Sequence, residues 1–318
     1  MGRVLEGQWV SDDLGTDAQG RYVRRAAKFR GRLSADGSTG FRAEPGRYHL
    51  YLAHACGWSH RVMLMRALKG LEELVSASYA EPFMGERGWT LGEAGDPLMG
   101  KQQLYEVYLE HQADYTGRAS VPVLWDRQTQ SIVTNESSDI ARDFDAAFEA
   151  FTGPTRSLLP DEQREQIDAM IDANYGPINN GVYRCGFAGS QLAYDEALSA
   201  LFERLDWLEQ HLAHSRYLVG EELTAADLFL FPTLYRFDAI YYIHFKCCVR
   251  QLRDYPNLWA YTRELYQLPG VAGTCDLPKT RAHYFASHES VHPRRYVPPG
   301  PNPDFDAPHG RERLGAAK

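Results

Sequence analysis

The chain is short of cysteine in every pattern that would staple it or load it with metal. Five cysteines, Cys56, Cys185, Cys247, Cys248 and Cys275, are scattered irregularly through 318 residues, with no C-x-x-C pair. An odd, irregular set excludes a secreted disulfide scaffold and fits a reducing compartment. Positive charge is in deficit as well, with 34 basic against 42 acidic residues and a formal net charge of -8. That excludes the concentrated cationic surface that a nucleic-acid backbone demands, and it leaves no polybasic membrane patch. No uninterrupted apolar run approaches membrane-spanning length. The opening MGRVLEGQWV lacks the apolar core of a signal segment, so the expectation is a cytoplasmic protein without membrane partners. Internal repeats are absent too. What remains is an ordinary globular balance, 44% hydrophobic and 24% charged, in a chain long enough for two modest domains.

The pattern along the chain divides it into four parts. Residues 1–47 are polar and Gly-rich and read as an N-terminal extension. Within them the basic run RRAAKFRGRL, from Arg24 to Leu33, reads as a solvated arm wrapping the body. Residues 48–152 mix strands and helices. Tyr48 to Ala53 alternates as a half-buried strand does, Cys56 to His60 reads as a turn, and Arg61 to Leu71 carries apolar residues at helical spacing. A strand over 74–79, a short helix over 103–110, a hairpin formed by 121–125 and 131–133, and a helix from Asn135 to Phe148 follow. That order predicts a mixed sheet with helices on its faces. Residues 153–290 read as all-helical. The stripe Leu198, Leu201, Leu205, Leu208, Leu212 predicts one amphipathic helix. Thr224 and Asp227 form a capping-box signature ahead of a nearly all-apolar helix over 228–242, which should therefore be central. Residues 291–318 are a Pro-rich, charged tail whose last part reads as flexible.

The chemistry gathers at three places. Cys56 follows a strand and precedes a helix. A sulfur at a helix start sits near unsatisfied amides and the positive dipole end, which favours the thiolate. Ser59, not a cysteine, stands three residues on, so Cys56 has no resolving partner in its motif. If it forms a mixed disulfide, a second small thiol must release it. A structural cysteine at a strand end is the competing reading. Val121-Pro122 opens a later strand, and a cis bond there would present the Val121 backbone to an extended peptide. Most X-Pro bonds are trans, so the sequence leaves this open. Glu136-Ser137 lies between a strand and a helix. Ser137 and the first helical amides can hold a carboxylate and Glu136 an ammonium, which suits the amino-acid end of a γ-glutamyl thiol. An ordinary N-cap is the plainer alternative.

In this order and spacing the sequence resembles the glutathionyl-hydroquinone reductases, the Xi class of glutathione transferases. The matching strings run from about Tyr48 to Pro301: CGWSHR at Cys56, Gly88-Trp89, GRASVPVLWD from Gly117, TNESSDI from Thr134, INNGVYRCGFA from Ile178, YYIHFK from Tyr241 and HYFASH from His283. The helical-region strings separate it from the similar Omega class. The resemblance implies an α/β plus all-α architecture: a thioredoxin-like N-terminal domain followed by a helical glutathione-transferase C-terminal domain. It implies a reaction in which Cys56 attacks the sulfur of a glutathionyl-hydroquinone. The hydroquinone leaves, and a second glutathione then regenerates the thiol and departs as glutathione disulfide. Trp89, Arg118, Val121, Pro122, Glu136 and Ser137 fall at the family's glutathione-binding positions, with Arg118 pairing a carboxylate. Tyr183 and Tyr284 fall at the tyrosines beside the hydroquinone, where a phenol can hydrogen-bond a ring oxygen and help protonate the leaving ring carbon. A homodimer is implied, with glutathione as co-substrate and no metal.

Two residues depart from the family. Gly57 and Ser59 stand where Pro and Ala are usual. Gly57 is expected to loosen the turn that aims Cys56, and the Ser59 hydroxyl to reach the thiolate. A different small thiol, such as mycothiol, fits this departure, whereas Glu136 and Ser137 favour a γ-glutamyl one. His54, Cys56 and His60 do not have the spacing of a zinc site. His283, His288 and His292 read as hydrogen-bonding residues, Cys247-Cys248 as free thiols and Cys185 as packing. The competing functions are an Omega-like thiol transferase or dehydroascorbate reductase, and a non-catalytic binding protein on the same fold.

Overall fold

The computed structural model of the protein describes residues 2–11 and 15–314. The chain forms two compact units. The first is built from the described residues up to 11 together with Arg24–Arg156 and Thr274–His288; the second from Gly15–Val23, Ser157–Gly273 and the described residues after Glu289.

The first unit opens with an antiparallel hairpin, β1 (Gly2–Leu5) and β2 (Gln8–Ser11), and a short parallel pair, β3 (Arg32–Ser34) and β4 (Gly40–Arg42). Then come β5 (Tyr48–Leu52), α1 (Gly57–Leu68), β6 (Ser76–Tyr79), α2 (Leu104–His111), β7 (Val123–Asp126), β8 (Ser131–Thr134), α3 (Ser137–Ala146) and the single turn α4 (Glu149–Thr152). The four-stranded sheet runs β6-β5-β7-β8, parallel between β5 and β6 and antiparallel elsewhere. This is the predicted mixed sheet. Its central strand differs from the alternation read in the sequence, because all five residues of β5 are buried. Even His49 is buried, since its two ring nitrogens meet the Ser76 and Ser78 hydroxyls of β6 at 2.8 and 2.9 Å.

The basic arm is not merely solvated. Ahead of it, in β1, Val4 is fully buried and pairs with Gly117. Phe29 packs against His111 and Tyr115. Arg30 forks onto Asp139, while Arg32 and the Leu33 amide bind Asp143. Both carboxylates are buried, and a buried carboxylate needs a partner charge or donors. The expected boundaries 1–47, 48–152 and 153–290 do not coincide with those of the compact units. The arm contributes to the first unit, and so does α11 (Leu277–Ser287), which lies within the expected helical span.

The second unit is helical. It contains α5 (Arg164–Asn174) running into a π-helical turn at Tyr175–Asn179, α6 (Gly181–Gly186) and α7 (Gln191–His211). α8 (Ala225–Arg236) continues through a second π turn at Phe237–Tyr241 into α9 (Tyr242–His244), and α10 (Pro256–Tyr266) follows. Along α7, Leu201, Leu205 and Leu208 face the core, and Leu212 just beyond its end is buried with them. Every residue of α8 is buried, as its apolar circumference predicts. Both bonds of the Thr224–Asp227 capping box form. The tail is docked where the sequence suggested flexibility. Phe305 sits against Tyr235, Trp259 and Tyr266 with centroids 5.0 to 5.4 Å apart. Arg311 is 2% exposed and binds Glu264 and the Leu212, Ser215 and Arg216 carbonyls. Specific aromatic and guanidinium contacts outweigh the Pro-rich composition; the final four residues of the tail lie outside the described residues. Among the described residues no helix is long and apolar enough to cross a membrane.

Candidate active site

Helix α1 begins at Gly57, four residues ahead of where the turn-then-helix reading put it. Cys56 is therefore the N-cap itself, in extended conformation (φ -79°, ψ 117°). Its sulfur accepts the Ser59 amide at 3.4 Å, one of the helix-start donors left without a backbone acceptor. On the other side the sulfur lies 3.5 Å from the Val121 carbonyl oxygen. The Val121-Pro122 bond is cis, the geometry that the sequence left undecided. The Ser59 hydroxyl does not reach the sulfur as expected. It is fully buried and accepts the Ala53 amide at 3.3 Å, so only the Ser59 backbone touches Cys56. Gly57 takes no left-handed backbone; it simply starts the helix.

Trp89 and Cys56 both pack, half-buried, on one apolar cluster that includes Tyr51, Val123 and Trp125. Gly88, just before Trp89, has φ +82°, and a Cβ there would lie 2.8 Å from the Trp9 ring. A glycine is required on both counts. Trp9 belongs to β2 and donates its indole N–H to the Glu86 carbonyl, so the N-terminal hairpin braces the loop that carries Trp89. A shallow cleft lined by His54, Ala55, Pro82 and Trp89 lies alongside. Arg118 is braced by the same hairpin through the Gly2 carbonyl at 3.3 Å.

Glu136 is the N-cap of α3, and Ser137 is its first residue. One Glu136 oxygen accepts the Ser138 amide at 3.0 Å and the Ser137 hydroxyl at 3.4 Å. The Ser137 hydroxyl and the Ser138 amide thus face Glu136, as in an N-cap. Tyr108 ties this corner to the Val121 loop. Its hydroxyl donates to the Ser120 carbonyl at 2.7 Å and accepts from Asn135 at 3.2 Å. Burial raises the Tyr108 pKa, which keeps the phenol a donor. Phe29 completes the corner, donating its amide to Asn135 and accepting from Thr134. Neither Tyr108 nor Phe29 stands out in the sequence, because each acts through partners about a hundred residues or tens of residues away.

Tyr284 belongs to the first unit with Cys56. It is 2% exposed, edge-on between His283 and His288 at 5.4 and 5.2 Å. His283 stacks on Trp89 and bonds the Pro82 carbonyl through Nδ1 at 2.9 Å, which makes Nδ1 the protonated nitrogen. Tyr183 belongs to the second unit, on α6, among Phe187, Tyr241 and Phe245. All five cysteines are free thiols. Burial, first of all, drives the Cys247 thiol well above its usual range, consistent with an inert packing role. Among the described residues no group of three or more His, Cys, Asp or Glu converges to hold a metal ion.

A thioredoxin-like unit with a cysteine at the start of its first helix, a cis proline opposite the sulfur and an acidic N-cap across the sheet, in a chain with a helical unit, defines a cysteine-type glutathione transferase. The glutathione S-transferase N-terminal domain model matches residues 55–147, and the C-terminal domain model matches residues 191–264. Glutathionyl-hydroquinone reductase PcpF of Sphingobium chlorophenolicum is 47% identical over 95% of this chain and 96% of its own length. Glutathionyl-hydroquinone reductase YqjG of Escherichia coli is 44% identical over 98% and 99%. A glutathione-bound structure of YqjG superposes with a TM-score of 0.90 at 42% identity, covering 98% and 99% of the two chains. The Xi class GST of Natrialba magadii superposes at 0.92, also at 42% identity, covering 99% and 97%. The chain belongs to the glutathionyl-hydroquinone reductase family, the Xi class of glutathione transferases.

Proposed function

We propose that the protein reduces glutathionyl-hydroquinones to hydroquinones with glutathione as co-substrate, through a mixed disulfide on Cys56. The observation that carries the reading is the Cys56 sulfur itself, capping α1 against the Ser59 amide with no second cysteine in its motif. The Cys56 thiolate attacks the glutathionyl sulfur. The new S–S bond forms as the sulfur–ring bond breaks, and the ring carbon takes a proton. A second glutathione thiolate then breaks the mixed disulfide, restoring Cys56 and leaving as glutathione disulfide. The conjugate is reduced and two glutathionyl sulfurs are oxidised, so the electrons balance.

Val121 and Pro122 present the backbone edge for the thiol peptide, Trp89 an aromatic wall, Arg118 a cation for a carboxylate, and Glu136 with Ser137 the polar end for the γ-glutamyl group. Tyr183 and Tyr284 serve the hydroquinone. Relatives named for this reaction at 44 and 47% identity favour it over the Omega-like transferase. A half-buried thiol held at a helix start favours an enzyme over a pure binding protein. The reading includes a cytoplasmic homodimer, for which exposed Leu192, Trp207, Ile243 and Val249 of the helical unit supply apolar surface.

The test is intact mass after brief exposure to a glutathionyl-hydroquinone, with hydroquinone release followed in parallel. Wild type should gain one glutathionyl group, release hydroquinone and lose the adduct on adding glutathione. Cys56→Ser should do none of this. Release without an adduct on Cys56, or an adduct that mycothiol but not glutathione removes, would overturn the assignment.

A further inference from the structure

A second thiol in the first unit faces a histidine. Cys275, half-buried just before α11, lies with its Sγ 3.7 Å from Nε2 of His60. The same Nε2 lies 2.9 Å from the Thr274 hydroxyl. His60 is fully buried in α1, and its own amide donates to the Cys56 carbonyl at 2.9 Å. Asp276, next to Cys275, has its carboxylate engaged by the Lys279 amide and ammonium. A thiol within reach of an imidazole nitrogen is an arrangement that favours its thiolate, and here the Thr274 hydroxyl shares that nitrogen.

We propose that Cys275 is a second reactive thiol, a modification site for glutathione disulfide with His60 as its base. The step is thiol–disulfide exchange. Cys275 Sγ yields its proton to His60 Nε2 and attacks one sulfur of glutathione disulfide. The Sγ–S bond forms, the old S–S bond breaks, and the departing glutathione thiolate takes the proton. The oxidant is the product of the activity proposed above, and to that extent the inference rests on that reading.

The protein carries its own control, because Cys248 is exposed while Cys185 and Cys247 are buried. Full-length Cys56→Ser is incubated with glutathione disulfide alone, without any hydroquinone, and its cysteine peptides are mapped by mass over time and pH. The outcome is then independent of whether Cys56 reduces conjugates. Cys275 should gain a glutathionyl group about tenfold faster than the more exposed Cys248, and its rate should set in at a lower pH than that of Cys248. His60→Gln should abolish that advantage while leaving Cys248 unchanged. If His60→Gln fails to fold, the pH profiles of the two thiols in the Cys56→Ser protein decide alone. Modification of Cys248 first, or one common pH profile for both thiols, would overturn the proposal.

Discussion

The sulfur of Cys56 lies 3.5 Å from the carbonyl oxygen of Val121, 65 residues further along the chain. A carbonyl accepts from a thiol and repels a thiolate, so this contact suits the S–H form. The Ser59 amide at 3.4 Å suits the ionised form. The two contacts flank the sulfur, and neither uses a side chain other than that of Cys56.

Ser59→Ala isolates what the hydroxyl does. In the structure it accepts the Ala53 amide inside the core. Removing it leaves that amide without its acceptor, at a cost of about 1–2 kcal/mol. Urea unfolding should register this loss, while hydroquinone release at saturating substrate should stay within about twofold. A large fall in kcat with unchanged stability would instead mean that the hydroxyl acts on the sulfur.

In Glu136 the cap that the structure shows can be separated from the proposed hold on an ammonium. Glu136→Gln keeps an oxygen for the Ser138 amide, so the cap survives and stability should fall by less than about 1 kcal/mol. The charge for an ammonium is gone, and KM for glutathione should rise roughly tenfold with a smaller change in kcat. Glu136→Ala should lose both. Unchanged KM in the two variants, with stability lost only in the alanine one, would reduce Glu136 to a cap.

What could be read from the sequence is what short-range chemistry specifies. The Thr224–Asp227 box, the Leu stripe of α7 and the cysteine at a strand–helix junction each need only neighbours within a turn or two. The bracing of the site was not legible, because it depends on distant pairs. Trp9 against Gly88, Phe29 against Asn135 and Tyr108 against Ser120 and Asn135 have no local signature. α11 reads as one more helix of the helical region, although its Tyr284 and His283 belong to the unit that holds Cys56. The partner of the Ser59 hydroxyl, the Ala53 amide, is hidden for a related reason. Along a helix start the backbone amide points at the cap while the side chain takes whatever the core offers.

His49 should give the fold a pH dependence. Burial, with Arg127 adding repulsion, lowers its pKa from 6.5 to about 4. The unfolded chain takes up a proton below about pH 6.5 that the folded ring refuses until about pH 4, so stability falls as pH drops through that window. At pH 4.5 the expected loss from this residue is about 2 kcal/mol relative to pH 7. His49→Gln should flatten that part of the urea-midpoint profile. Parallel profiles for variant and wild type would show that the ring is not held neutral.

Arg311 should be the anchor of the C-terminal segment. One side chain spans the Glu264 carboxylate and three carbonyls, at distances between 2.6 and 3.0 Å, and is 2% exposed. Arg311→Ala would leave Glu264 buried with only Arg216, itself 30% exposed, and would strand the Leu212, Ser215 and Arg216 carbonyls. Breaking a buried pair in this way costs about 3 kcal/mol. Arg311→Lys should recover only part of that, because a single ammonium cannot reproduce the fork. Phe305 gives the segment a second, apolar hold against Tyr235, Trp259 and Tyr266. Amide hydrogen exchange should therefore quicken first around Arg311 and only later around Phe305 in the alanine variant. A loss below about 1 kcal/mol with unchanged exchange would mean that Phe305 alone holds the segment down.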